Sequence, residues 1–505
     1  MRTKAWMWAM GALAAQAAVV SSAKADQGEA VVIGIVRDAQ TGDPIAEAVV
    51  SVTSENLIGE QAVVTDSSGI FRLPNLPPGA YTIEVASKGY VTQSRSGVTL
   101  QANATVRIDT RLSKLAADSG DRREIYVPAP TIDVGSAATG MNISQEFSKR
   151  VPIASPGAKG GANRSFEAVA EATPGARTDT YGTSVAGTTS PENNYVVDGI
   201  SVSNPAFGIN GSGLSVEFLQ EVNVDSGGYM PEYGRSTGGI ISAVTQSGGN
   251  QLHGSVWGFY TPGQLEGQRK IVQREGSAVV GEPTLGWIGD AGFDIGGPII
   301  KDRLWFYGGF QAARASTNVD TSWNKTVVDP NTAEAQVDPD TGFTLTERIP
   351  GTDVRRKAQA TTLQVLGKFT FRASKNHTFD LLGIYIPTLS GGNGTYGVDA
   401  RTGQPEVGNT PLGQFDALAG KYRDDASDLN FKWTATSDDK KWTFDTMIGW
   451  HHQLASSRAA DGSRISSNSG LASVPGVIYR RNNPGPHSIL DFESLPAGAA
   501  VAVKV

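Results

Sequence analysis

Residues 427–453 alternate apolar and polar side chains on both sides of a tight turn, and no other feature constrains the fold as strongly. Leu429, Phe431, Trp433 and Ala435 alternate with Asp428, Asn430, Lys432 and Thr434. Ser437 to Lys441 turn the chain into Trp442, Phe444, Thr446, Ile448 and Trp450, which alternate with Thr443, Asp445 and Met447. Successive strand side chains point to opposite faces, so one face of this hairpin suits lipid and the other water. A sheet of this kind satisfies its backbone hydrogen bonds inside a bilayer only by closing into a barrel.

The same pattern recurs. Seven strands are expected near 252–260, 285–297, 303–312, 361–373, 377–386, 427–436 and 441–453. Short connections (298–302, 374–376, 437–440) strictly alternate with long ones (261–284, 313–360, 387–426) that are rich in Gly, Asn, Asp, Thr and Pro. Outer-membrane barrels obey this rule, with short turns on one side and long loops on the other. Mean hydropathy is −0.22 and no run of eighteen apolar residues occurs, so no spanning helix is expected. Trp257, Trp305, Trp433, Trp442 and Trp450 stand near strand ends, where interfacial girdles and core packing are both open readings.

At 505 residues the chain requires several domains. Residues 1–25 read as a secretory signal: Arg2 and Lys4 precede a largely apolar stretch, and Ala23-Lys24-Ala25 is a small-residue cleavage site between Ala25 and Asp26. Its removal takes the formal charge from −7 to −10, which argues against nucleic acid as a partner. With no cysteine, neither disulfides nor thiolate chemistry is available.

Residues 26–114 show short strands at regular spacing with turns at Thr41-Gly42-Asp43-Pro44, Thr65 to Gly69 and Leu76 to Gly79, the pattern of a β-sandwich. Its expected core is Val36, Val50, Phe71, Tyr81, Ile83 and Val85. Residues 115–130 form a polar, proline-punctuated linker with a short β-prone run, Arg123-Glu124-Ile125-Tyr126-Val127. Residues 131–250 mix a weak helix (165–172) with glycine-rich strands, and residues 251–505 carry the barrel pattern.

The string TDSSGIFRLPNLPPGAYTIEVASKGY resembles the carboxypeptidase regulatory-like domain, a transthyretin/Ig-like sandwich. Three further segments resemble TonB-dependent outer-membrane receptors, most of all their Oar-like branch. VEFLQEVNVDSGGYMPEYGRSTGGIISAVTQSG matches the end of that family's plug domain, with Tyr233-Gly234 at a turn and Gly238-Gly239 opening a strand. NNYVVDGISVSNP matches the plug's central strand and its turn at Asp198-Gly199. GFDIGGPIIKDRLWFYGGF matches an early barrel hairpin.

The resemblance implies a mainly β protein: sandwich, α+β plug and antiparallel transmembrane barrel in the bacterial outer membrane. It also implies uptake of a scarce extracellular ligand, with Arg123–Val127 as the TonB box that adds a strand to a periplasmic TonB-type partner; a stray strand packed on the sandwich or plug is the other reading of that run. An adhesin or scaffold anchored by the barrel is the alternative. Family barrels close with twenty-two strands and an aromatic C-terminus, so seven strands ending in Val505 are expected to be an incomplete barrel and the chain a fragment.

No catalytic, metal or cofactor site is expected. His253, His377, His451, His452 and His487 form no zinc motif, and adjacent His451 and His452 point to opposite faces of a strand. Gly392 to Gly397 matches GxGxxG literally, but no helix follows it, so a loop is expected. Asp338 and Asp340 stand two residues apart, a spacing at which two carboxylates can share a calcium ion, but in a long loop the run 338–342 reads as a solvated turn. On the cleavage-site reading, N-terminal sequencing of the membrane-associated protein returns Asp26 as the first residue; Met1 would overturn the signal.

Overall fold

The computed structural model describes residues 30–473, apart from positions 55, 58–59, 103, 116–121, 127–137, 153–156, 230–232, 235, 268–278, 393, 407–414, 416–418, 439–441 and 465–468. The expected cleavage site at Ala25 and Asp26, and Val127 at the end of the short β-prone run, lie outside the described residues.

The first unit is a two-sheet sandwich. Strands β1 (Ala30–Asp38), β2 (Val49–Ser54), β3 (Glu60–Val64), β4 (Ile70–Leu76), β5 (Gly79–Ala86), β6 (Thr92–Leu100), β7 (Thr105–Arg107) and β8 (Thr110–Leu112) are joined by a ninth, β9 (Arg122–Tyr126). One sheet has β1 between β4 and β7, with β8 also on β1; the other runs β3-β2-β5-β6-β9. Alternation places Val36, Val50, Phe71, Leu73, Tyr81, Ile83 and Val85 in one core, all buried. The six residues expected there are among them. The buried Thr65 hydroxyl is satisfied twice: it accepts from the Ala48 amide at 2.9 Å and donates to the Ile45 carbonyl at 2.8 Å.

Asp38 closes the sandwich's first turn. Its carboxylate accepts from the Gln40 and Thr41 amides at 2.7 and 3.1 Å and from the Tyr90 hydroxyl at 3.0 Å, with Lys114 Nζ 3.6 Å away. These donors, the Thr41 and Gln40 amides foremost, hold its carboxyl down at about 2.

The second unit begins with strand β10 (Thr139–Ser144), helix α1 (Gln145–Arg150) and helix α2 (Phe166–Val169). The hairpin β11 (Arg177–Asp179) and β12 (Gly182–Ser184) follows, then β13 (Asn194–Val197), β14 (Ile200–Ser201), β15 (Leu219–Gly227) and β16 (Ile240–Thr245). The sheet order is β10-β15-β16-β13-β14, mixed, with β13 parallel to β16. Ser144 caps α1 by accepting from the Phe147 amide.

The same unit continues into a meander: β17 (His253–Pro262), β18 (Val279–Ile300), β19 (Leu304–Thr326), a short β20 (Thr346–Arg348) paired with β19, then β21 (Val354–Ser374), β22 (His377–Gly391), β23 (Gly420–Thr436) and β24 (Thr443–Ala459). The seven long strands are the seven read from sequence, and they pair in chain order as an open antiparallel sheet. Alternation sorts the faces as expected: Leu429 and Phe431 are 48% and 39% exposed, Asp428 and Asn430 7% each. Beside the short turns, Phe371, Phe379, Phe431, Trp433 and His377 form a ladder of stacked rings on the outer face. The tryptophans divide. Trp442 and Trp450 are exposed, whereas Trp305 is buried and donates to Asn250 Oδ1 at 2.8 Å.

β18, β19 and β21 run 22, 23 and 21 residues, longer than the segments the sequence pattern marked. A tilted strand crosses a bilayer in about 10 residues. Most of the excess lies on the long-loop side, where polar residues mix with a small buried cluster of Val319, Ala358, Tyr396 and Ala419.

Two outcomes follow for the sandwich, made as residues 26–114. Phe71→Ala should cost about 3–5 kcal/mol in denaturant unfolding, because a fully buried ring leaves a cavity. A depressed carboxyl stabilises above its unfolded pKa and stops doing so as pH falls through its folded one. Sandwich stability should therefore decline between pH about 4 and about 2. Asp38→Asn should be less stable at pH 7 and flatter across that window, as read by thermal unfolding against pH.

Candidate functional site

The site is the seat of the five-stranded sheet on the inner face of the meander. Its first anchor is the two-residue turn from β13 to β14. Asp198 and Gly199 have φ of 43° and 83°, a left-handed pair that Asp tolerates and Gly prefers. That turn aims the Asp198 carboxylate at Thr245, whose amide donates to it at 2.8 Å, and at Lys368 of β21, whose Nζ donates at 2.9 Å. Asn430 of β23 donates to the Asp198 carbonyl at 2.9 Å.

Three more anchors repeat the theme. Ser212 donates to Asp428 at 2.6 Å, and the other carboxylate oxygen of Asp428 meets His451 Nδ1 at 2.5 Å. Gln364 of β21 accepts from the Ser215 amide at 2.9 Å and donates to the Gly213 carbonyl at 3.1 Å. Arg164 donates to Glu217 at 2.8 Å and reaches Asp290 of β18 with two nitrogens at 3.2 Å. Its guanidinium also stacks 3.6 Å over the Phe259 ring.

Apolar contacts fill the space between. Phe218 packs with Tyr307, Leu366, Leu382 and Ile384 of the meander and meets Trp257 edge-on at 5.6 Å. Gly309 makes this possible, because a Cβ there would stand 2.3 Å from the Phe218 ring.

Inside the small sheet's helical flank lies a buried ion pair. Lys159 Nζ is 3.6 Å from Glu167 Oε2, and both side chains are almost fully buried. Burial pushes the Lys159 amine down and the Glu167 carboxyl up, each against the pull of its partner.

Among the residues singled out in sequence, Asp198 and Gly199 belong to this seat. Tyr233 is buried, packed edge-on against Tyr229 at 6.5 Å, and its carbonyl accepts from Asn194 Nδ2; Gly234 follows with φ 38°. Gly238 and Gly239 enter β16 beside Asn193 and Val185, with less than 3 Å of room for a Cβ. Arg123, Glu124, Ile125 and Tyr126 lie in β9 on the sandwich sheet, in parallel with β6.

The sequence marks Asp428 only as a polar-face residue of its strand, and it carries no local sign of Arg164, Glu217, Asp290 or Gln364, since their partners are far away along the chain. The literal GxGxxG is a loop bridge between Gly392 and Thr395, and Asp338 caps its own turn through the amides of Asp340 and Thr341. His451 and His452 diverge, the first to Asp428 and the second onto Trp450. Among the described residues no group of three or more His, Asp or Glu side chains could hold a metal ion.

Residues 31–113 match the carboxypeptidase regulatory-like domain, and residues 244–410 match the outer membrane beta barrel domain. The chain thus carries a regulatory-like sandwich ahead of strands that match an outer membrane beta barrel domain. Over 470 residues it is 44% identical to the TonB-dependent transporter Oar of Myxococcus xanthus, a match that takes in 92% of this chain and 43% of that relative. The chain thus spans less than half the length of that relative. Among solved structures it is similar to the outer membrane transporter YddB from Escherichia coli, at 16% identity and TM-score 0.40, covering 63% of this chain and 39% of that one. It is also similar to a ferric enterobactin receptor mutant from Pseudomonas aeruginosa solved with enterobactin, at 12% identity and TM-score 0.39, covering 63% and 41%.

The buried pair yields a double-mutant outcome. Glu167→Gln alone should destabilise the small sheet by about 3–5 kcal/mol, because it strands the Lys159 charge. Adding Lys159→Met should recover most of that loss. Hydrogen exchange of the β13 amides measures both.

Proposed function

We propose that this protein is an outer-membrane transporter that takes up a scarce ligand, energised by a periplasmic TonB-type partner. In this reading residues 131–250 are the plug and Arg123–Val127 the segment the partner grips. One observation carries it: a folded sheet sits on the inner face of membrane strands through hydrogen bonds and ion pairs that water can replace. An exchanged hydrogen bond changes free energy by only about 1 kcal/mol, so such a seat can be left and regained. A barrel serving only as an anchor has no use for a separable occupant.

The chain has no cysteine, so Ser215→Cys gives a single buried reporter in the seat. In energised cells a thiol reagent should label it at least tenfold faster than in cells lacking the TonB-type partner. Ile125→Pro, which removes a backbone donor, should bring labelling down to the partner-free rate, while Ile125→Ala should not. Equal labelling with and without the partner would favour a static anchor.

A further inference from the structure

β9 is not a free segment. It lies parallel to β6 with Thr92 opposite Arg122, Ser94 opposite Glu124 and Ser96 opposite Tyr126, and it ends the order β3-β2-β5-β6-β9. One of its edges is bonded to β6, and the other faces no strand among the described residues. Backbone donors and acceptors alternate between the two edges of a strand, so holding one edge leaves the other's groups free to pair.

We infer that the regulatory-like sandwich is a template that presents Arg122–Tyr126 to the TonB-type partner. The partner's edge strand adds to the outer edge of β9 while β6 keeps the inner one, so the two proteins share one continuous sheet. This rests on the reading of Arg123–Val127 as the partner's grip. Strand addition to a flexible segment must order that segment residue by residue, which weakens the complex. A segment already extended on β6 has met that cost during folding. The opposite arrangement, in which β6 hides the segment and competes with the partner, needs the same edge of β9 to serve both. The observed pairing does not require that.

The test uses the full chain in outer-membrane fractions and the purified periplasmic domain of a TonB-type protein as probe. Paired strands lie about 5 Å apart, within the span of a disulfide, so Ser94→Cys with Glu124→Cys can lock β9 onto β6. The oxidised double variant should bind the probe at least as tightly as its reduced form. A chain lacking residues 26–114 should bind at least tenfold more weakly than the full chain. A tenfold loss on oxidation would mean that the sandwich hides the segment and would overturn the template. Failure of the disulfide to form, or unchanged binding without the sandwich, would overturn it as well. If Ile125→Pro leaves probe binding unaltered, the reading of the segment itself has failed.

Discussion

A backbone amide or carbonyl in hydrocarbon has no water to turn to, and the second unit is arranged around that fact. Each long strand from 253 to 459 hands its hydrogen bonds to the next long strand in the chain, giving a meander with no crossover. Chain-order pairing places short turns at one end and long loops at the other. It also forces alternation, because the face turned to lipid can carry only residues such as Phe369, Phe371, Leu381 and Phe431, all substantially exposed. The inner face is thereby left to Asp290, Gln364, Lys368 and Asp428, which are the groups that receive the small sheet.

Two kinds of contact hold that sheet, and they respond differently to force. The Phe218 cluster buries apolar area, so its stabilisation is lost only as that area is exposed. Ion pairs such as Lys368–Asp198 and Arg164–Asp290 act over short distances and yield abruptly once water enters. A pull on the sheet therefore meets a stiff limit first and a gradual one afterwards.

Much of this architecture was legible in the sequence, for physical reasons that can be named. Alternation at Leu429–Ala435 and Trp442–Trp450 survives because one face is lipid. Strand lengths were underread because Asn318 to Thr326 and Val354 to Ala360 lie past the bilayer, where neither face is obliged to be apolar. The sandwich core was readable from Phe71, Tyr81, Ile83 and Val85, since burial on one face enforces period two. The seat was mostly hidden. Asp198 was found only through its turn, and Arg164, Gln364 and Asp428 meet groups 126, 149 and 216 residues away, a separation that leaves no local pattern. Lys159 and Glu167 carry no local sign of their burial, because the ion pair that joins them exists only once the loop has folded onto the helix.

The length of β18, β19 and β21 has a further consequence. About 10 residues per strand continue past the bilayer, and at a rise of about 3.3 Å and a tilt near 40° they lift the long loops by about 25 Å. Physiological salt screens charge over about 8 Å. The loops therefore stand some three screening lengths clear of the charged lipid headgroups. What they meet is set by their own charges, such as the exposed Arg355–Asp320 and Lys325–Glu347 pairs, and not by the potential of the surface below.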